Sequence, residues 1–367
     1  MSKLLTIIIP SYNMEVYLER CLASLVVGDK ALLRALDVIV VNDGSKDRTS
    51  EIAHAFADHA NADMEDPDSI VFRVIDKPNG NYGSCVNVGL QHARGRFVRV
   101  LDADDYFGTA AFERFLRFLI GLGEDSVPDL VLTDHDKVSA EGDVIASNPY
   151  PFATKVEFGM DDILPHLTGI GMLAMTYRLD LLKSINYVQT EGISYTDNEF
   201  AVIPMLFVRR IIYCPECVYH YFIGREGQSI SALATARSIG MYISLFNNLA
   251  KLISSLKSNG IAEENRAFVD GYIRHLIGFV YGNMVYGLAS SDFSKCFGEW
   301  DALIKNIYGG IHRDIGEVSV VWHVVPYMKI LRRLQSYPTV QKLFLGILRL
   351  PSLIRAIFRR RQPTTTH

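Results

Sequence analysis

The chain has 367 residues, enough for two or three structural units with substantial cores. Its net charge of −4 conceals an asymmetry: residues 319–367 hold nine Lys and Arg and no acidic side chain, which leaves residues 1–318 with 28 basic against 41 acidic residues, or −13. An acidic body argues against general binding of nucleic acid, which needs many Lys and Arg contacts to phosphate. We therefore expect no nucleic-acid partner.

Cysteine usage and hydropathy indicate the cellular compartment of the chain. Five cysteines, an odd number, are scattered behind no signal-peptide pattern, which is typical of a reducing compartment. The longest uncharged stretch, Leu276–Ser291, is shorter than the roughly 20 apolar residues that a spanning helix needs. The sequence therefore predicts a cytoplasmic protein without a bilayer-spanning segment.

Four apolar, β-branched stretches each end in a polar cluster. They are Thr6–Ile9 before Pro10-Ser11-Tyr12-Asn13, Val38–Val41 before Asn42-Asp43-Gly44-Ser45, Val71–Ile75 before Asp76-Lys77-Pro78-Asn79-Gly80, and Val98–Leu101 before Asp102-Ala103-Asp104. Continuous hydrophobic strands separated by helix-length segments are buried in parallel sheets, which bind ligands beyond their carboxyl ends. The sequence predicts an α/β fold with one site at these four strand ends.

The segments between these strands have helical periodicity. Asn13 is expected to cap a first helix, Asp47 or Ser45 a second, and Tyr82–His92 forms a third. Such short helical crossovers impose parallel pairing. Further on, the pattern predicts these elements: a helix from Thr109 to Gly121, a strand over Asp129–Thr133, loops and short elements from Lys137 to Tyr195, a helix over Ala201–Val208, a strand over Arg210–Tyr221, and two or three helices within 232–310.

This pattern divides the chain into three parts, 1–230 with the sheet, a helical region 231–318 and a basic amphipathic segment 319–367. In the last part apolar and basic residues alternate, and Pro338 and Pro351 divide it into short helices. Basic amphipathic segments of this kind commonly lie on anionic membrane surfaces. The charge pattern favours that interpretation for residues 319–361, and the alternative is a helical hairpin that packs on the acidic body.

Asp102 and Asp104 follow the fourth strand two residues apart, where strand alternation would point both to one side. Hard oxygen ligands in this position suit Mg²⁺ or Mn²⁺, which keep coordination positions for substrate phosphates. A solvated turn is the alternative. The three other polar strand ends favour the metal site.

At this point the chain resembles the family 2 glycosyltransferases, which have the GT-A fold. The matching motifs, spread over about 105 residues, are Ile8–Asn13, Val41–Asp47, Asn79-Gly80, Asn87–Gly89, Ala93–Gly95 and Leu101–Asp105. The resemblance implies a nucleotide-sugar-binding domain with a mostly parallel twisted sheet between helices, followed here by the helical C-terminal region. One departure is Val86, where family members often have Arg.

The resemblance also implies residue roles. Pro10, Tyr12 and Asn13 would line the nucleotide pocket, and Asp43 would bond to uracil, which favours a UDP-sugar. Asn79 and Gly80 would border base and ribose. The segment Asp102-Ala103-Asp104 would hold the ribose and the metal on the diphosphate. Farther along, Arg225 would neutralise leaving-group charge and His220 would complete the metal shell.

Inverting sugar transfer needs a base to take the proton of the incoming hydroxyl. Asp197 stands where the family has its base, although Glu199 lies two residues on and Asp197 also fits an ordinary helix N-cap. Cys214 and Cys217 have the spacing of a zinc knuckle but lack a second pair, so we expect two half-buried thiols.

Together these features predict a metal-dependent, inverting glycosyltransferase that moves a sugar from a UDP-sugar to the hydroxyl of a glycan or lipid-linked sugar. Its products would belong to bacterial surface polysaccharide or glycolipid, made at the inner face of the cell membrane. Two alternatives stay open: a sugar nucleotidyltransferase, whose Gly-rich basic loop after the first strand is replaced here by Pro10–Asn13, and a nucleotide-sugar-binding scaffold without catalysis.

Overall fold

The structure is a computed structural model that describes residues 3–64, 66, 69–123, 127–154, 156–224, 238–255, 260–314, 328–337, 339–346 and 348. The chain forms two compact units. The first comprises Met1–Glu226 with Leu252–Asp270, and the second comprises Gly227–Lys251 with Gly271–His367.

One mixed sheet organises the first unit. Its strands in the described residues are β1 Lys3–Ser11, β2 Leu36–Asn42, β3 Phe72–Asp76, β4 Gly95–Val100, β5 Tyr106–Phe107, β6 Leu130–Val138, β7 Val144–Asn148, β8 Glu157–Phe158, β9 Met175–Arg178 and β10 Ile211–Phe222. Their spatial order is β3-β2-β1-β4-β9-β6-β10-β5, with β7 beside β6 and β8 beside β10. The first four strands are mutually parallel, as are β6 and β10, whereas β9 is antiparallel to both β4 and β6.

Helices connect the parallel strands as the sequence predicts. In the first unit they are Leu18–Ala23, Lys30–Arg34, Thr49–Ala60, Asn81–His92, Thr109–Gly121, Met160–Ile163, Leu179–Ser184 and Asp197–Val202, with 3-10 turns at Leu164–Gly169, Met172–Ala174 and Pro204–Leu206. Every residue of β1 and β2 is buried, because helices cover both faces of this part of the sheet. The predicted α/β fold class is confirmed.

Two details of helix capping differ from the sequence prediction. Asn13 caps no helix: its backbone is left-handed, with φ at +54°, and the first helix begins only at Leu18. The N-cap of the helix Thr49–Ala60 is Arg48, which makes no side-chain capping bond, rather than Asp47 or Ser45. Asp47, one residue earlier, accepts from the Thr49 N–H at 3.0 Å. The Ser45 hydroxyl instead accepts from the Asn13 N–H, also at 3.0 Å.

Helices follow β10, which confirms the predicted helical C-terminal region. They are Ile239–Ser255, Glu263–Gly287, Ser290–Ile307, Gly309–Asp314 and Met328–Arg333, followed by a 3-10 turn at Leu334–Ser336. In the parts of the chain that the structure covers, no helix combines the length and the apolar character needed to cross a membrane.

The described part of the basic segment packs within the second unit. Leu331 and Leu345 are fully buried, and the Arg332 guanidinium lies 2.7 Å from the buried carboxylate of Asp301. That packing agrees with the helical-hairpin alternative for residues 328–346. The rest of the segment, including Pro338 and Pro351, lies outside the described residues.

Candidate active site

The ends of β1, β2 and β4 meet at one edge of the sheet. Ser11 pairs with Asn42 and Ile8 pairs with Val100, so the residues that follow these strands are neighbours. The Asp43 N–H donates to the Ser11 carbonyl at 2.8 Å, and the Leu101 N–H donates to the Ile8 carbonyl at 2.9 Å. The structure therefore brings the predicted strand-end residues together.

The loop after β1 is fixed by the loop after β2. Pro10 is buried at the end of β1, whereas Tyr12 is 44% exposed and presents its ring to solvent. Asn13 holds the two loops together, because its amide oxygen accepts from the Lys46 N–H at 2.8 Å and its own N–H donates to Ser45. The left-handed backbone at Asn13 makes both contacts possible.

Asp43 and the Asn79-Gly80 pair form one cluster. One carboxylate oxygen of the buried Asp43 accepts from the Gly80 N–H at 2.9 Å and from the Lys77 ammonium. The Asn79 side chain donates to the Asp43 carbonyl at 3.0 Å. Lys77, which also donates to Ser84, is a member of this cluster that sequence reasoning missed, although it stands in the polar stretch after β3.

The aspartates after β4 are arranged by a turn. The Asp105 N–H donates to the Asp102 carbonyl at 3.0 Å, so a four-residue turn places Asp102, Ala103 and Asp104, and the predicted strand alternation does not apply there. Asp104 is only 9% exposed, and its carbonyl accepts from the Arg20 guanidinium. Asp102 accepts a 2.7 Å hydrogen bond from the Tyr82 hydroxyl.

Asp105 anchors this turn and was not predicted as a site residue. It is fully buried, and it accepts from the Tyr219 hydroxyl at 2.6 Å and from the Phe222 N–H at 2.7 Å. Burial, and then the charges of Asp104 and Asp102, raise its pKa well above the ordinary value. Three carboxylates are thus crowded at the end of β4.

Asp197 is the first residue of the helix Asp197–Val202, and no side-chain capping bond is made by the residue before it, Thr196. Burial raises the pKa of Asp197 to about 6, from an ordinary 3.8, against the opposing effect of the Asn198 N–H. The pKa of Tyr82 is raised by burial and by the charges of both Asp102 and Asp197. Asp197 therefore lies within electrostatic reach of the hydroxyl that binds Asp102.

Glu199, the alternative base, holds a loop. It is 2% exposed, and its two oxygens accept from the N–H and the hydroxyl of Thr190 at 2.6 and 2.7 Å. Burial raises its pKa, and the Thr190 donors oppose that rise. These contacts give Glu199 a structural task.

The same loop is fastened to the helix Asn81–His92. The Asn87 amide donates to the Gln189 carbonyl at 2.8 Å and to Glu191 at 2.9 Å, and it accepts from the Gln189 N–H at 2.8 Å. At Gly83 a Cβ atom would lie 2.0 Å from the Thr190 carbonyl oxygen, so the close approach of the loop requires glycine. We call residues 187–192 the strap.

His220 and Arg225 are the two remaining predicted site residues. His220 stacks on Tyr106 with ring centroids 5.1 Å apart, and its ligand atom groups with those of Asp136 and Cys217. In the described parts of the chain, Asp102, Asp104 and His220 do not form such a three-residue group. Arg225 lies outside the described residues. Cys214 is buried and Cys217 half-buried.

The chain is similar to known glycosyltransferases in sequence and to a solved structure in fold. Residues 6–161 match the family described as Glycosyl transferase family 2. The chain is 39% identical over 114 residues to the uncharacterized glycosyltransferase EpsJ of Bacillus subtilis, which covers 31% of this chain and 30% of that protein. It is 27% identical over 230 residues to the poly(ribitol-phosphate) beta-N-acetylglucosaminyltransferase TarS of Staphylococcus aureus, covering 62% of this chain and 37% of that protein.

A crystal structure of residues 1–349 of S. aureus TarS, in complex with UDP-GlcNAc, is similar in fold. It has a TM-score of 0.63 at 18% sequence identity, over 93% of this chain and 89% of that one. The matches to the first curated relatives, in contrast, span only about a third of those proteins' own length.

Proposed function

Starting from the premise that residues 6–161 form a family 2 glycosyltransferase domain of GT-A type, we propose that this chain transfers a sugar from a UDP-sugar to an acceptor hydroxyl with inversion. The observation that carries the proposal is the position of Asp197. Its carboxyl, with a pKa raised to about 6, lies within electrostatic reach of Tyr82, which donates to Asp102 at the end of β4.

The donor would bind along the strand ends. Asp43 would accept from the uracil ring, with Lys77 holding the carboxylate in place, while Pro10, Tyr12 and Asn13 line the pocket and Asn79 and Gly80 border the ribose. The similarity to a fold seen with UDP-GlcNAc in TarS supports a nucleotide-sugar donor.

The residues at the end of β4 fit a divalent cation. Asp102 and Asp104 offer hard oxygen ligands next to the buried carboxyl of Asp105, so three carboxyl groups lie together in this turn. Asp104, with Asp102, would hold Mg²⁺ or Mn²⁺, which when bound neutralises charge on the diphosphate leaving group. The contributions of His220 to this shell and of Arg225 to leaving-group stabilisation stay predictions.

Asp197 would act as the base. With a pKa near 6 it is mostly ionised at pH 7 and still basic enough to take the acceptor proton as the acceptor oxygen bonds to the anomeric carbon. The bond from that carbon to the UDP oxygen breaks on the opposite face, so the configuration inverts. Glu199 is less suited, because Thr190 occupies both of its oxygens.

The acceptor would be a glycan or lipid-linked sugar of a bacterial surface polymer. The similarity to TarS, which is named as a poly(ribitol-phosphate) beta-N-acetylglucosaminyltransferase, supports a polymer acceptor. A place at the inner face of the cell membrane, reached through the basic segment 319–361, remains part of this proposal. The test is co-sedimentation with lipid vesicles. The full chain should sediment with anionic vesicles and should stay in the supernatant with neutral vesicles.

The main experiment measures UDP release from a panel of nucleotide sugars with Mn²⁺ and an acceptor mixture. We expect Asp197→Asn to lower the rate by about 10² to 10⁴-fold, the range for loss of a general base. Asp104→Ala should lower it by at least as much, because leaving-group charge is then uncompensated. Binding of UDP without turnover of any donor would favour the scaffold, and pyrophosphate release from a nucleoside triphosphate would favour the nucleotidyltransferase.

A further inference from the structure

A second group of ligand-bearing side chains joins β6 to β10. Asp136, Cys217 and His220 each offer one ligand atom, and these atoms lie within 4.8 Å of one another. All three residues are half-buried. Of the described Asp, Glu, His and Cys residues, these are the ones that form such a group of three.

An irregularity in β10 produces this group. Residues 217 and 220 are three apart, and in a regular strand they would point to opposite faces. The pairing of β10 with β6 shifts register between Cys214 and Cys217 and again between Cys217 and Tyr219. His220 then lies opposite Asp136, and Cys217 lies opposite Asp134, with the Tyr219–His135 pair between them. Bulges commonly re-aim side chains in this way.

The three side chains are already oriented toward one another. The Cys217 sulfur lies within 4.8 Å of a carboxylate oxygen of Asp136 on the neighbouring strand. The His220 ring is held between Tyr106, on which it stacks, and Gly108, where a Cβ atom would lie 2.7 Å from Nε2. Its other nitrogen, Nδ1, is buried and has no hydrogen-bond partner among the described residues. A buried imidazole nitrogen without a partner is costly, and a metal bond would remove that cost.

We propose that Asp136, Cys217 and His220 bind a thiophilic divalent cation of the Zn²⁺ type, with His220 coordinating through Nδ1. Thiolate, imidazole and carboxylate are the three protein ligands that Zn²⁺ accepts, whereas Mg²⁺ takes oxygen ligands. Binding replaces the thiol proton of Cys217, which leaves to solvent, and a water completes the tetrahedral shell. This site differs from a Cys214–Cys217 knuckle, because Cys214 is not part of the group, and it assigns His220 to this ion in place of the metal at Asp102 and Asp104.

The ion would link β6 to β10 across the bulge. β10 also carries Tyr219 and Phe222, whose hydroxyl and N–H hold Asp105 beneath the proposed donor site. The cation would therefore stabilise the strand that supports those carboxylates.

The test uses the full chain, stripped of metal with a chelator and titrated with Co²⁺. We expect one equivalent of Co²⁺ to give thiolate-to-cobalt charge-transfer absorption that Zn²⁺ abolishes by competition. Cys217→Ser should eliminate the absorption, and Asp136→Asn should weaken Zn²⁺ binding by about 100-fold or more, at least the cost of losing an outer-shell partner. Cys214→Ser, on the same strand, is the matched control and should retain the signal.

A combined Asp102→Asn and Asp104→Asn variant should also keep the absorption, which separates this site from the proposed catalytic metal. Should Cys217→Ser not fold, the unchanged chain gives the answer: Zn²⁺ should protect Cys217, located by mass spectrometry, from alkylation. Absence of thiolate absorption, absorption that survives Cys217→Ser, or alkylation of Cys217 at the same rate with and without Zn²⁺ would each overturn the proposal.

Discussion

Two regions of the molecule bury carboxylates in opposite ways. In the helical unit, Asp301 accepts from Tyr281, Arg332 and His312, and these hydrogen bonds hold its pKa below the ordinary value although burial alone would raise it. At the end of β4, Asp105 accepts from an uncharged hydroxyl and an amide, and burial together with Asp104 and Asp102 raises its pKa.

The difference separates a carboxylate that a cation of the fold neutralises from a group of carboxylates that we propose binds a metal ion. Asp301 is paired with a cation of the fold, because Nε of Arg332 lies 2.7 Å from its carboxylate. The turn after β4 instead concentrates negative charge, which is unfavourable in a low-dielectric setting unless a bound cation offsets it. Residues of the first kind are expected to matter for stability and those of the second kind for catalysis.

The largest stability effect should come from Asp301. We expect Asp301→Ala to lower the free energy of unfolding by about 3 to 5 kcal/mol, because Arg332 then stays buried without its anion. Urea unfolding measures this. Glu51→Ala, which removes an exposed partner of Arg48, is the control and should change the free energy of unfolding far less, because solvent screens this pair. Equal losses of stability in Asp301→Ala and Glu51→Ala would show that the buried pair contributes no more than the exposed one.

Replacing Asp197 should raise stability, whereas replacing Asp301 lowers it. Its pKa in the folded chain lies above the ordinary value, so its favourable contribution to stability is complete below about pH 4 and is lost as the pH rises through about 6. At pH 7, Asp197→Asn avoids this loss and should raise the free energy of unfolding by up to about 3 kcal/mol while activity falls. A destabilised Asp197→Asn variant would assign this carboxylate a structural role like that of Asp301.

The pH dependence of kcat/KM tests whether Asp197 is the base. A base with a pKa of about 6 must be ionised to act, so kcat/KM should fall about tenfold per pH unit below pH 6. The residual activity of Asp197→Asn should lack this acidic limb. A limb that is unchanged in the variant would show that another group titrates.

The smallest effect is expected at Glu199. Because it holds Thr190, Glu199→Gln should cost about 1 kcal/mol of stability and less than about tenfold in activity, with the acidic limb retained. Unfolding curves and the pH profile test both parts. Loss of the limb in this variant would transfer the role of base from Asp197 to Glu199.

Hydrophobic patterning predicted the parallel strands because each is a continuous apolar run followed by turn residues. It also placed Asp43, Asn79, Gly80 and Asp102 together, since the carboxyl ends of parallel strands share an edge. The local backbone conformation was harder to predict from the sequence. The residue type of Asn13 alone suggested a helix cap, but its backbone is left-handed and its side chain bonds to the loop after β2.

Contacts between distant segments could not be predicted from spacing. Tyr219 reaches Asp105 from 114 residues away, and the bulge that brings Cys217 to the face of His220 depends on how β10 pairs with β6. In one sequence, Tyr219 is indistinguishable from an ordinary core aromatic. Pro215 does indicate an irregularity in the run Ile211–Phe222, but it does not fix which side chains the register shift brings together.

The strap joins two helices that carry proposed site residues. Asn87, on the helix Asn81–His92, holds Gln189 and Glu191 of the strap, and Thr190 binds Glu199 on the helix that begins with Asp197. A substitution that breaks either contact is therefore expected to shift Asp197 relative to Tyr82 and Asp102, even though it removes no proposed catalytic group.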